Sequence, residues 1–339
     1  QNVRPVEVDE FQIGTAETYD VIVQPGTAEA YAIVGESMDR SGMALAMLAS
    51  RPGARATVPP LRDPPLLTMG DMGMDHGSGG MDHSAMGHGN TPQPEPTANS
   101  ASAATVDHAA MGHGAPAAAG AGAAVAADHA AMGHGGSPGT AAAAMGAMSM
   151  DGMNMRDTSL LPPDVKVGPG IDMVSMSPVD KTGDPGLGLR DVPHRVLNYR
   201  MLAALEPNKD TREPSRLLEL HLTGNMERYM WSFDGRMYSA VSDVPIRFAW
   251  NERVRVKLVN NTMMGHPIHL HGMFFEIVNG QAPAQQPRKN VIIVQPGASA
   301  TFDLTANEPG DWAFHCHLMY HMHAGMMQTV TVVGPEGAA

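Results

Sequence analysis

The sequence predicts an all-β chain built on a Greek-key β-sandwich, and three observations carry that prediction. Arg253-Val254-Arg255-Val256-Lys257-Leu258-Val259 alternates charged and apolar residues with a period of two, as a half-buried strand does. Comparable stretches at 216–222, 229–233, 268–278, 291–294, 299–304, 311–317 and 327–333 bring the tally to about eight strands. Short turn signals separate them, Asp234-Gly235 being the clearest. Strands that short and that regularly spaced bury their apolar faces by stacking two sheets.

Taken in order, residues 1–58 read as the closing strands of an incomplete β domain. Tyr19-Asp20-Val21-Ile22-Val23 before Gln24-Pro25-Gly26 predicts one strand, Ala30 to Val34 a second, and Met43 to Leu48 a third. Three strands are fewer than the roughly seven of an independent sandwich.

Composition shifts abruptly over 59–163. Asp82-His83-Ser84-Ala85-Met86-Gly87-His88-Gly89 recurs as Asp107-His108-Ala109-Ala110-Met111-Gly112-His113-Gly114 and again as Asp128-His129-Ala130-Ala131-Met132-Gly133-His134-Gly135. So little bulky apolar area cannot repay ordering the chain, so this insertion is expected to be disordered without metal. Thioethers and imidazoles on a Gly-rich chain can converge on a soft ion. Met74, His76, Met81, His83, Met86, His88, His108, Met111, His113, His129, Met132 and His134 are the candidate Cu(I)-capturing residues. The competing reading is an unstructured linker with drifted repeats.

Residues 164–339 form the last domain. Residues 164–200 are transitional, with turn signals at 172–176 and 184–190; a short helix is expected over Tyr199–Leu205, and strands resume after Pro214. Met230, Met237 and Met273 read as packing residues, and His194 and His221 as ordinary polar positions.

Composition excludes some functions. A formal charge of −13 leaves no basic patch for nucleic acid. No apolar run approaches the roughly 20 residues that span a bilayer. One cysteine allows no intramolecular disulfide, so cysteine usage does not place the chain in an oxidising compartment.

That one cysteine is the centre of the chemistry. In an extended His315-Cys316-His317, side chains alternate, so the two imidazoles face one way and the thiol the other. A trigonal His2Cys set with a weak axial Met is the blue-copper arrangement. His321 and Met326 follow at distances a short turn can close, and His266-Pro267-Ile268-His269-Leu270-His271 supplies upstream imidazoles.

HPIHLHG at 266–272 and HCHLMYHMHAGM at 315–326 resemble the two C-terminal copper motifs of multicopper oxidases. Leu222-Thr223-Gly224-Asn225-Met226 through Trp231-Ser232-Phe233-Asp234-Gly235, and Asn261-Thr262-Met263-Met264, resemble the periplasmic copper-resistance branch of that family. The resemblance is close over about 190–335 and looser over 1–58. It implies a cupredoxin-like fold, with 1–58 ending the middle cupredoxin domain.

By the resemblance His266, Cys316, His321 and Met326 are type 1 copper ligands. His269 matches a type 2 ligand, and His271, His315 and His317 match type 3 ligands. The implied reaction is one-electron oxidation of Cu(I), or of phenols, coupled to reduction of O2 to water at a trinuclear cluster. Electrons pass from Cys316 through His315 and His317, serving copper tolerance in the periplasm. The full protein then carries four coppers, and its trinuclear cluster takes eight histidines. Only His269, His271, His315 and His317 match here, which implies a C-terminal portion of a longer oxidase. The missing N-terminal cupredoxin domain would complete the site, and this chain alone is expected to bind type 1 copper without reducing O2. His323, where relatives often have an acid nearby, is a candidate extra copper contact. The alternative function is a non-catalytic periplasmic copper-sequestering protein.

Overall fold

A computed structural model describes residues 1–73, 154–239 and 244–335. The Met and His residues proposed for Cu(I) capture, from Met74 to His134, lie outside the described residues.

Two short ladders come first. Strand β1 (Glu10–Phe11) pairs in parallel with β4 (Val196–Leu197), and β2 (Ala30–Glu36) pairs antiparallel with β3 (Met43–Ala49). The second ladder has Val34 opposite Leu45, yet both remain exposed, as do Ile33 and Leu48. Two strands have no second layer to cover them. The strand expected at Tyr19–Val23 does not form. Ile22 is 85% exposed, while Tyr19 packs at a tilt against Phe11 and its ring lies 3.7 Å beneath the Lys289 ammonium. The apolar run there finds no neighbouring backbone to pair with.

The remaining strands are β5 (Arg216–Asn225), β6 (Met230–Phe233), β7 (Ile246–Ala249), β8 (Arg253–Asn260), β9 (His266–Leu270), β10 (Phe275–Ile277), β11 (Arg288–Lys289), β12 (Val291–Val294), β13 (Ser299–Thr305), β14 (Gly310–Cys316) and β15 (Met327–Val333). A five-residue helix, α1 (Met319–His323), lies between the last two. One sheet runs β11-β10-β13-β8-β5-β6 and the other β12-β9-β14-β15-β7, so the fold is the expected all-β sandwich of cupredoxin type.

Alternation decides which residues fill the space between the sheets. Val254, Val256 and Leu258 of β8 are buried with Phe302 and Leu304 of β13. Phe314 of β14 stacks 5.3 Å from Phe233 of β6 and meets Phe302 edge-on at 6.4 Å, joining the layers. Each such side chain contributes about 1.5–3 kcal/mol on burial. Met273 is in this core, but Met237 is 47% exposed.

Three further expectations are revised. The single strand at 268–278 is two, β9 and β10, which lie in different sheets. The break falls at Gly272 (φ +72°), where a Cβ would come 2.2 Å from the Trp312 ring. Tyr199–Met201 is one turn of 3-10 helix, shorter than expected over 199–205. Asp234-Gly235 does make a two-residue turn with φ positive at both positions, but it closes on the single bridge Phe233–Arg236. The hairpin partner of β6 is β5.

Residues before and after the Met/His-rich tract share one compact unit. Arg62 pairs with both Glu10 and Glu36, buried Asp71 with Arg190, and Glu17 with Lys289 at 2.8 Å. Among the described residues, no helix is long and apolar enough to cross a membrane.

Candidate metal centre

Strands β9 and β14 pair antiparallel with His269 opposite His315, Phe314 opposite Leu270 and Cys316 opposite Ile268. Period-two alternation then sorts every candidate ligand on these strands. His266, Ile268 and Leu270 share the core face with Phe314 and Cys316, all of them buried. His269, His271, His315 and His317 occupy the opposite face.

On the core face, Cys316 Sγ lies 3.6 Å from His266 Nδ1 and 3.7 Å from His321 Nδ1, and the two nitrogens are 3.1 Å apart. A metal held trigonally, with bonds of about 2.0 Å to nitrogen and about 2.3 Å to sulfur, needs donors about 3.5–3.7 Å apart. Both sulfur–nitrogen distances meet this, while the two nitrogens, at 3.1 Å, must part by about 0.4 Å to admit the ion; the soft thiolate-plus-imidazole chemistry suits copper.

Helix α1 delivers His321 to this site. Just beyond it, Met326 N donates to His321 O at 2.9 Å and Cys316 N to Met326 O at 3.1 Å. These bonds fold the loop back against Cys316, and the Met326 side chain is wholly buried in the same core cluster. Gly325 (φ +115°) permits the fold-back, because a Cβ there would come 2.6 Å from Met237 Cβ.

Burial sets the protonation states of these donors. It lowers His266 far below the ordinary imidazole value, with His321 adding to the effect, and lowers His321 to about 4. Both rings are therefore neutral at pH 7 and can offer lone pairs. Burial pushes the Cys316 thiol up to about 12, so a metal must displace its proton to gain the thiolate. Two supports hold the imidazoles. Thr262 Oγ1 lies 2.7 Å from His266 Nε2, and Trp231 stacks on His321 with centroids 4.4 Å apart and planes 15° apart.

On the opposite face four imidazoles converge. Ring centroids lie 4.6 Å apart for His269–His271, 5.2 Å for His271–His315 and 5.3 Å for His315–His317. His269 Nδ1 is 2.7 Å from Asn290 O and His315 Nδ1 is 3.0 Å from Cys316 O, which leaves the Nε2 atoms of both free for ligation. His271 Nε2 and His315 Nε2 approach to 3.0 Å. Burial lowers both His269 and His315. His271 is exposed, so the cluster has an open side.

The structure thus brings together His266, Cys316 and His321 on one face and His269, His271, His315 and His317 on the other. His323 is exposed at the end of α1 and outside the cluster of three donors. Thr262 and Trp231 entered the sequence reading only within family motifs, with no role at the metal: a threonine four residues before a histidine does not by itself reveal a contact, and Trp231 reaches His321 across 90 residues. His221, expected to be an ordinary polar residue, is buried and receives a hydrogen bond from Asn261 Nδ2 at 2.8 Å.

Residues 211–336 match the family model for multicopper oxidases. Copper resistance protein A of Pseudomonas syringae pv. tomato is 46% identical over 335 residues, 98% of this chain and 51% of that protein. Copper resistance protein A of Escherichia coli is 43% identical over 335 residues, 98% of this chain and 50% of that protein. The chain therefore spans about half the length of these relatives. Among solved structures, a laccase from Pediococcus acidilactici aligns with a TM-score of 0.34 at 23% identity, over 38% of this chain and 29% of that one. The chain belongs to the multicopper oxidase family, in its copper-resistance protein A branch, whose cofactors are type 1, type 2 and type 3 copper.

Proposed function

We propose that His266, Cys316, His321 and Met326 hold a type 1 copper, while His269 contributes to a type 2 copper and His271, His315 and His317 to a type 3 pair. One observation carries this reading: the strand pair β9–β14 presents His266 and Cys316 on one face, where α1 adds His321, and four converging imidazoles on the other. When bound, copper supplies one-electron acceptance at the first centre and reduction of O2 to water at the second.

The chain's own contribution is position. Cys316 shares peptide units with His315 and His317, so the path from sulfur to either imidazole is covalent and short. Core packing around Cys316 excludes water, and the Asn290 and Cys316 carbonyls orient His269 and His315. The open side at His271 supports completion of the cluster by imidazoles of a further β domain. Residues 1–58 are read as the end of an intervening domain of the same type.

The donor proposed is Cu(I), gathered by the Met/His-rich tract, with periplasmic copper tolerance as the role. O2 uptake by the full-length protein, with Cu(I) and with a phenol, tests this reading against passive sequestration. Turnover that is faster with Cu(I), and abolished by Cys316→Ser, is expected. Copper binding without O2 uptake from either donor would overturn the oxidase reading.

A further inference from the structure

We propose that Thr262 is a positioning residue that locks His266 in the Nε2–H tautomer, so that its Nδ1 lone pair is permanently presented to the metal. The proposal rests on the reading of His266 as a copper ligand and is argued from hydrogen-bond direction alone.

Asn260, at the end of β8, is fully buried. Its Nδ2 faces three backbone carbonyls, Met264 O at 2.7 Å, Val294 O at 3.1 Å and Gln295 O at 3.0 Å. Carbonyls only accept, so the amide nitrogen must occupy that side and Oδ1 the other. Oδ1 then accepts from Thr262 N at 3.0 Å and faces Thr262 Oγ1 at 2.8 Å.

A threonine hydroxyl has one proton to give. If it went to His266 Nε2, two oxygen lone pairs would oppose each other at 2.8 Å beside Asn260. The proton therefore goes to an oxygen, Asn260 Oδ1 at 2.8 Å ahead of Met264 O at 3.2 Å, and in either case not to His266. Thr262 Oγ1 must accept at 2.7 Å from His266, which fixes the ring proton on Nε2. His266 Nδ1 is left as a pure acceptor, aimed at Cys316 Sγ and His321 Nδ1.

Without the Thr262 hydroxyl, the buried Nε2–H would have no partner, and the ring would favour the Nδ1–H tautomer. That proton could hydrogen-bond to Cys316 or His321 and would block the ligating position. Partners that orient a ligating imidazole are typically worth 10–100-fold in metal affinity.

The test is histidine two-bond nitrogen–proton NMR on the copper-free full chain, as wild type, Thr262→Ser and Thr262→Val. Cu(II) affinity is measured alongside by chelator competition, read at the intense visible cysteine-to-copper band. Wild type and Thr262→Ser are expected to show His266 only as Nε2–H. Thr262→Val should gain Nδ1–H and lose about 10–100-fold in affinity. The wild-type spectrum alone overturns the proposal if His266 is Nδ1–H, whether or not the valine variant folds. Weaker binding by Thr262→Val with an unchanged tautomer overturns it too, since packing would then explain the loss. So does a changed tautomer with unchanged affinity. Separately, His266→Gln with wild-type Cu(II) affinity and an intact visible band would refute the copper-ligand reading, while leaving the tautomer result standing.

Discussion

At the scale of single residues, Cys316 shows how the fold prepares a ligand it cannot itself ionise. Burial holds the thiol protonated, up to about 12, so only a cation at the site makes the thiolate favourable. Cys316→Ser replaces a soft donor with a hard one and should abolish the intense blue absorption, and a surviving band would remove the site. Met326→Leu removes the thioether proposed as the fourth type 1 ligand and should raise the reduction potential of a copper bound there, as potentiometry would show. These candidate ligands could be picked out in the sequence because their spacing is local and the cysteine is unique. The contact of Thr262 with His266 could not, since its direction is set by Asn260, whose amide meets the backbone at the end of β12. Gly272 is a third case, at φ +72° with the Trp312 ring flat against it. Gly272→Ala should cost about 2–4 kcal/mol in chemical denaturation, because left-handed strain and displacement of an indole add together.

Elements were read well where both faces of a strand differed and poorly where they did not. The alternation of β8 placed Val254, Val256 and Leu258 in the core, as found. Strand β7 was missed because Ile246–Ala249 is only four residues and pairs in parallel with β15, far along the chain. The run at 19–23 has strand composition but no partner, which no local pattern reveals. The turn after β6 offers a test of its own. Asp234 accepts from His221 N at 2.7 Å, yet burial outweighs that bond and raises its carboxyl from 3.8 to about 6. A raised folded-state value means the protonated form stabilises the fold. That contribution is complete below about pH 4 and is lost as pH rises through 6, amounting to about 3 kcal/mol. Asn keeps an acceptor, tolerates the φ of 49° and carries no charge to desolvate. Asp234→Asn should therefore raise the melting temperature at pH 8 and leave it nearly unchanged at pH 4, and equal shifts at both would contradict the account.

At the scale of the whole molecule, the Met/His-rich tract enters and leaves beside one stretch of backbone. Ser177 N donates to Gly73 O at 2.8 Å, and Val174 N donates to Met155 O at 2.6 Å. Ser175 then ties that stretch to Asn261 Oδ1 at 2.9 Å, one residue from Thr262. Residues 69–73 themselves dock, through buried Asp71 held by Arg190 at 3.0 Å and by Lys181. A deletion beginning at Met69 would thus remove a buried ion pair with the tract and confound its result. The cleaner variant replaces residues 74–153 with about eight flexible residues. For an unstructured loop, closing a chain about tenfold shorter costs about 2 kcal/mol less, and denaturant unfolding should then show a more stable protein. Cu(I) oxidation should fall more than phenol oxidation if the tract gathers the metal, because only one donor depends on thioether capture. Equal losses for both donors, in a variant shown to be as stable as the parent or more so, would reduce the tract to a spacer.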